Sequence, residues 1–291
     1  SDILGGFGFV QRRQGKFKQA LADLKRASEL DPLNHFRVWE VGTTYMYMRN
    51  YPESERYYDR AISLAPDLSF AYYCKAWLYL CSEGNTEKAR AVLAEALDNI
   101  KSVKNPSIVK LQIIIDIFER NYQEALDRLS LEAQDIDNQE YIDDREYFIP
   151  NALLYARIYG YMKNKELAKK YYDDARSILE SKINERPEHG RFYSTLGMAY
   201  AGLGRKEDAV REGNLAVEIL PVSKEAMRGP YRVEDLARIY VMVGEYNDAI
   251  NTIEYLLSKP GLLSIPLLQL DPSWDPLRDH PRFKKLLESN K

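Results

Sequence analysis

The residues of this chain best suited to chemistry are few and scattered. Its three histidines, His35, His189 and His280, lie far apart, without the short spacings by which imidazoles share a metal. Cys74 and Cys81 are seven residues apart in a helical pattern, about 10 Å along a helix axis, too far to pair with each other. They read as small core residues in a reducing compartment. The stretch "GGFGFV" at residues 5–10 has neither phosphate-loop nor dinucleotide spacing and no strand ahead of it, so its glycines serve helix packing. No nucleophile elbow and no cysteine–histidine signature occurs. The aspartates of "AQDIDNQEYIDDREYF" (Ala133 to Phe148) lack the glycine and regular alternation of a calcium loop. Carboxylates elsewhere sit at helical spacings where they partner lysines and arginines; a helical toroid enzyme working with two acids is the one catalytic arrangement left open. The reading is a non-enzyme, with no catalytic residue, no metal and no cofactor.

The elements beneath these residues repeat. Gly8 and Gly42, Phe17 and Tyr51, Leu24 and Tyr58, Ala27 and Ala61, and Pro32 and Pro66 are each 34 residues apart. Each unit is a helix, a turn, a second amphipathic helix and a proline that stops it. A small residue in the first helix (Gly8, Gly42, Ala76, Ala156, Gly197, Ala237) lets the second helix approach, and one in the second helix (Ala20, Ser54, Ala89, Ala125, Ala168, Ala209, Ala249) allows the same from the other side. Tyrosines one turn on (Tyr45, Tyr79, Tyr159, Tyr200, Tyr240) fill the space toward the next unit, which accounts for much of the count of 22 tyrosines.

These positions resemble the tetratricopeptide repeat, over nearly the whole chain. The fold expected is all-α, a right-handed superhelix (solenoid) of about seven helix pairs, near residues 3–31, 36–65, 70–98, 107–131, 150–185, 191–219 and 231–258, with a C-terminal capping segment. The fourth is degenerate, with Ile113, Asp116 and Glu132 at positions expected to be small or aromatic. Four N-terminal units (1–132), an acidic solvated linker or insertion (133–149), three lengthened units (150–260) and a cap (261–291) make up the expected organisation. In the fifth unit the second helix runs to Pro187 and should overhang its partner.

The chain ends on "LLQLDPSWDPLRDHPRFKKLLESNK", in which N-cap residues Asp271 and Asp279 each precede a proline in a first helical turn. Terminal units of a stack are atypical because an apolar end must be covered. Trp274, Leu277, Phe283, Leu286 and Leu287 are therefore expected to plug the end, with Lys284 and Lys285 facing water. This tail, together with "GLGRKEDAVREGNLAVEILPVSKEA" and "EDLARIYVMVGEYNDAI", resembles the C-terminal repeat region of bacterial multidomain signalling proteins. There such an array follows an adenylate cyclase, a Ser/Thr kinase or a winged-helix regulator. The resemblance implies a sensory or assembly role beside an effector domain of the same parent chain.

In tetratricopeptide folds the first helices line the concave surface. Register places Phe36, Trp39, Thr43, Tyr47, Phe70, Tyr73 and Trp77 there, with Arg12 and Arg13 as a basic rim. Aromatics and arginine dominate binding energy at interfaces, so the leading function is a protein–protein interaction and regulatory module that holds a peptide or partner domain in this groove. Arg157, Arg238 and Glu234 make the later surface more polar. The alternatives are a small-molecule sensor with an enclosed pocket and a dimerisation module forming a homodimer. Lysine plus arginine number 41 against 44 acids, a net charge of −3, which excludes bulk nucleic-acid binding. No apolar run reaches the length of a membrane span. The chain, 45% hydrophobic and 29% charged, reads as soluble and cytoplasmic. Starting at Ser1 without a signal-like region, it reads as an excised segment.

Overall fold

The structure, a computed structural model, describes residues 2–100, 106–135, 141–143 and 147–288. Among them helices come in seven consecutive pairs. These are α1 (Asp2–Arg13) with α2 (Phe17–Leu30), α3 (His35–Tyr47) with α4 (Tyr51–Leu64), α5 (Ser69–Glu83) with α6 (Thr86–Asn99), and α7 (Pro106–Phe118) with α8 (Tyr122–Asp135). After a short antiparallel strand pair, β1 (Tyr141–Asp143) and β2 (Phe148–Pro150), come α9 (Asn151–Tyr161) with α10 (Lys165–Glu185), α11 (Gly190–Gly202) with α12 (Lys206–Ile219), and α13 (Gly229–Met242) with α14 (Tyr246–Leu257). The chain closes with α15 (Ile265–Leu270), a 3-10 turn (Pro272–Leu277) and α16 (Pro281–Glu288). The observed pairs fall within a few residues of those expected, and α10, with 21 residues against 11 in α9, does extend beyond its partner's length.

One device makes every turn within a pair. Gly15, Arg49, Gly84, Arg120, Lys163, Gly204 and Gly244 all have positive φ, between 56° and 82°. In this conformation the next N–H reaches back to the first helix, as in Asn50 to Tyr45 O (3.0 Å), Asn164 to Tyr159 O (2.9 Å) and Glu245 to Tyr240 O (2.8 Å). That is the six-to-one bond of a helix-ending left-handed residue. Asn34, Asn85 and Asn164 cap the following helix by accepting from the backbone N–H three residues on. The small residues act as expected: a Cβ on Gly197 would stand 2.9 Å from the Ala209 carbonyl, and one on Gly8 2.5 Å from Leu24. Two of the recurrent tyrosines reach back to the preceding pair, while Tyr159 stacks on Tyr171 of α10 and Tyr45 lies 5.7 Å from Tyr57 of α4, each in its own pair. Tyr200 donates to Glu180 of α10 (2.8 Å), and Tyr79 donates to Glu55 of α4.

The helices gather into two compact units, Ser1–Glu119 with Lys259–Leu270, and Arg120–Ser258 with Asp271–Lys291. The division departs from the expected break at 132/133 because the fourth pair is itself split. α7 packs on α5 and α6 in the first unit, and α8 packs on α9 in the second. Asp116, one of the degenerate positions, is buried in α7 and takes an Nη2–H from Arg90 of α6 at 2.6 Å, while Glu119 takes Arg90 at 2.6 Å. This ties α7 to α6.

Residues 259–270, of which 261–270 were expected in the cap, join the first unit. Gly261 donates its N–H to Tyr47 O (2.9 Å), Arg49 donates to Leu263 O (2.9 Å), and Leu267 enters the core around Tyr58, Tyr72, Leu80 and Leu93. The expected linker 133–149 is only partly a linker. Residues 136–140 and 144–146 lie outside the described ones, but Phe148 is buried against Phe192 (ring centroids 5.0 Å) and its carbonyl accepts from Thr195 Oγ1 (2.9 Å). A buried phenylalanine makes this stretch part of the second unit's core.

Candidate peptide-binding surface

In the first unit, α3 and α5 carry a row of aromatic rings. Phe36 and Trp39 are one turn apart on α3, with ring centroids 5.5 Å apart. Phe70 of α5 stands edge-on to both, 6.4 Å from Phe36 and 4.6 Å from Trp39. Tyr73 continues to Trp77 (6.4 Å), and Trp77 to Phe118 of α7 (6.5 Å). Such edge-to-face contacts fix ring orientation and contribute roughly 0.5–1.5 kcal/mol each beyond burial. Phe36 is exposed, and Trp39, Phe70, Tyr73 and Trp77 are each half-buried. The row thus keeps aromatic surface in water while its rings hold one another in place.

Three expected members do not lie on this surface. Thr43 and Tyr47 are buried, Tyr47 stacking on Phe17. Arg12 is buried as well: it pairs with the Glu40 carboxylate and donates to Thr44 Oγ1 (3.1 Å). A charged side chain enters the core only with such a partner, and Arg12 spans the space between α1 and α3 instead of forming a rim. Arg13 is exposed on α1. Two members escaped the sequence reading. Phe9 meets Phe36 edge-on at 6.2 Å, and Phe118 closes the other end. Phe9 follows the small residue Gly8 as Trp77 follows Ala76, so its register offered a signal; Phe118 sits in the degenerate unit, where register gave none.

The second unit carries charge at equivalent positions. Arg157, Met198 and Arg238 each follow the small residue of a first helix, and Glu234 lies one turn before Arg238. Arg238 Nη2 bonds the Glu234 carboxylate at 2.7 Å and the Asp271 carboxylate at 3.1 Å. Arg157 donates to Ser273 Oγ (3.1 Å), which also lies 3.0 Å from the Tyr161 hydroxyl. The turn holding Asp271 and Ser273 thus rests on first helices α9 and α13. Asp271 accepts the Ser273 N–H at 2.8 Å. Burial pushes the Asp271 carboxyl up, but Arg238, Arg157 and Ser273 outweigh it and hold the pKa below the usual value. Burial leaves Glu234 with a raised pKa despite Arg238.

Of the expected cap residues, Trp274, Leu277 and Phe283 are fully buried, and Leu286 and Leu287 are half-buried. α16 packs on α14, with Lys284 and Lys285 exposed. Trp274 instead lies against α13, beneath Arg238. An indole under a guanidinium gains cation–π energy unavailable at a purely apolar end.

An open cleft of about 340 Å³ lies among α4, α5 and α6, lined by Asp59, Ile62, Tyr72, Lys75, Glu95 and Asn99. Lys75 and Asp59 pair there at 2.6 Å. Among the described residues no group of three or more His, Cys, Asp or Glu could hold a metal ion, and no helix is long and apolar enough to cross a membrane.

Helix pairs stacked through small residues, a left-handed turn in each, and an aromatic first-helix row define an all-α solenoid of tetratricopeptide repeats. Two tetratricopeptide-repeat family models match residues 39–68 and 57–91. Tetratricopeptide repeat protein 37 of Xenopus laevis is 21% identical over 259 residues, 87% of this chain and 15% of the Xenopus protein. The chain therefore spans a small part of that relative's length. The crystal structure of a tetratricopeptide repeat protein from Parabacteroides merdae matches with a TM-score of 0.53 at 17% identity, over 93% of this chain and 98% of that one. This likeness shows the fold. Tetratricopeptide proteins generally mediate protein–protein interaction and are typically non-catalytic.

Proposed function

We propose that this chain is a peptide-binding interaction module whose recognition surface is the row Phe36, Trp39, Phe70, Tyr73 and Trp77. The observation that carries the reading lies in the second unit. There the residues at equivalent repeat positions are Glu234, Arg238 and Arg157, of which Arg238, itself paired with Glu234, and Arg157 already hold a short turn of chain, Asp271 to Trp274, by side-chain hydrogen bonds and ring contact. In the first unit the same positions are Trp39, Tyr73 and Trp77, so the segment suited to them carries apolar or aromatic side chains rather than carboxylates. Orienting the rings before binding reduces the conformational entropy lost on association. The cleft on α4–α6 is open, unlike the enclosed pocket a metabolite sensor needs. The resemblance of the C-terminal stretches to bacterial signalling proteins supports a regulatory setting, with the bound segment supplied by an effector domain or its partner.

The test is selection of a displayed random-peptide library on the intact chain, followed by fluorescence anisotropy with the enriched peptides. Trp39→Ala combined with Phe70→Ala should weaken binding about tenfold or more while circular dichroism stays unchanged. Peptides that bind the folded double variant as tightly as the parent would sink the proposal.

A further inference from the structure

The repeat allows one junction between helix pairs to be compared with the next. Between the first and second pairs, Arg60 of α4 donates from Nη2 to the carbonyl of Pro32, in the loop before α3, at 2.8 Å. The chain thus lays a guanidinium of its own on the loop carbonyl. Between the second and third pairs the corresponding residues differ. Pro66, Tyr72 and Lys75 stand one 34-residue repeat after Pro32, Val38 and Val41. The small residues Ser54 and Ala89 set the register of α4 against α6, which puts Glu95 at the place of Arg60 and Asn99 at that of Leu64. Val38 and Val41 are fully buried and Leu64 packs on the core, so three packing positions have become polar. Tyr72, Lys75, Glu95 and Asn99 line the open cleft of about 340 Å³ among α4, α5 and α6. Where the first junction has an arginine on the proline carbonyl, the second presents a carboxylate.

The groups in the cleft suit a cation from outside. Lys75 is paired with Asp59 at 2.6 Å. Glu95 is exposed and, among the described residues, makes no hydrogen bond or ion pair. The Tyr72 hydroxyl donates to the Pro66 carbonyl at 3.1 Å and accepts from the Asn99 amide at 3.1 Å. These groups are held in place, and the carbonyl keeps a second lone pair. Burial raises the Tyr72 pKa, and the charges of Glu95 and Asp67 raise it further, so negative potential reaches the wall of the cleft. Ile62 and Pro66 offer apolar surface to an alkyl stem. A guanidinium, planar and with five donors, can address a carboxylate and a carbonyl together, which an ammonium does less well. At about 3.6 residues per turn, Tyr72 and Lys75 lie on the side of α5 opposite Phe70, Tyr73 and Trp77. The cleft and the aromatic row are therefore separate surfaces.

We propose that the cleft among α4, α5 and α6 receives an arginine side chain of a protein partner, its guanidinium between Glu95 and the Pro66 carbonyl and its stem on Ile62 and Pro66. The probe is N-acetyl-arginine amide, titrated into the whole chain and followed by saturation-transfer NMR. Signal should pass to its side-chain methylenes, and N-acetyl-citrulline amide, of the same shape without the charge, should bind about tenfold more weakly or less. Glu95→Gln should weaken binding of the arginine probe about tenfold. Glu95→Arg, which supplies a guanidinium from the chain itself as Arg60 does, should abolish it. Both substitutions are at an exposed position and should leave the melting curve unchanged. Trp39→Ala with Phe70→Ala should leave binding of the probe as it was, so this site and the aromatic row stand or fall separately. Citrulline amide binding as tightly as arginine amide, or Glu95→Gln binding the probe like the parent, would overturn the site. Free L-arginine binding more tightly than the blocked amide would overturn the protein partner in favour of a small molecule.

Discussion

The guanidinium of Arg238 lies over the indole of Trp274, its Cζ 5.0 Å from the ring centroid. The same group bonds Asp271 and Glu234. One cation is therefore shared by two carboxylates and seats the ring that fixes the C-terminal turn on α13. Arg238→Met removes the charge from among them and should lower unfolding free energy by about 3 kcal/mol, the scale for leaving buried charges unpaired. Arg238→Lys keeps charge but not the planar fork, and should fall roughly halfway between. Urea denaturation of the three proteins checks the order, and intrinsic fluorescence reports whether Trp274 has become exposed.

The same cluster makes stability depend on pH in two opposed ways. Glu234 has its pKa raised by burial, so its native form binds a proton more readily than the unfolded chain does. Through this group stability rises as pH falls from 7 through the raised pKa toward about 4.3, the unfolded value. Asp271 has its pKa held low; its contribution is present above about 3.9 and is lost as pH falls through the folded value. Glu234→Gln removes the first effect alone. The stability of the parent chain minus that of the variant should increase between pH 7 and 5. A difference flat with pH would show that Glu234 titrates normally.

Much of this architecture was open to inference from residue spacing because each helix pair needs the same few side chains. Gly8, Gly42 and Gly197 are dictated by backbone approach and Ala20 to Ala249 by the reverse face, so their period marks every pair. Even the left-handed turn recurs where Arg49, Arg120 and Lys163 stand in for glycine. What spacing could not tell was which polar residues are consumed internally. Arg12 and Thr43 occupy inward-looking register positions, yet Arg12 is taken up by Glu40, and Thr43 lies 3.4 Å from the Tyr58 hydroxyl. Nor does any local pattern send residues 259–270 to one unit and Asp271–Trp274 to the other. Those placements rest on contacts more than a hundred residues distant in sequence, such as Arg49 with Leu263 and Arg157 with Ser273.

The left-handed turns lead to a further expectation. Lys163 has φ of 61° on an exposed turn, a conformation that disfavours a side chain by about 1–2 kcal/mol. Lys163→Gly relieves this but adds freedom to the unfolded chain, leaving a net gain of about 0.5–1 kcal/mol. Arg49, with φ of 56°, gains the same relief on substitution by glycine but loses two hydrogen bonds to Leu263 O, at 3.3 and 2.9 Å. Each such bond contributes about 1 kcal/mol, so Arg49→Gly should be destabilising. Thermal melts of the two variants should shift in opposite directions.

The buried pair of Arg12 and Glu40 supplies the sharpest test of why the first pair stays attached. Both side chains are more than nine-tenths buried, and Arg12 also reaches the Glu40 carbonyl (3.4 Å) and Thr44 Oγ1 (3.1 Å). Glu40→Ala leaves the guanidinium charged in the core with only neutral acceptors, and should destabilise by about 3–5 kcal/mol. Arg12→Met with Glu40→Leu removes both charges while keeping volume, so most of that loss should be recovered. The reason is that an ion pair's attraction only roughly offsets the desolvation of its members. A double-mutant cycle by chemical denaturation gives the coupling. Additive losses from the two single substitutions would mean that Arg12 and Glu40 are held by their other contacts, and that α1 is fastened to α3 without them.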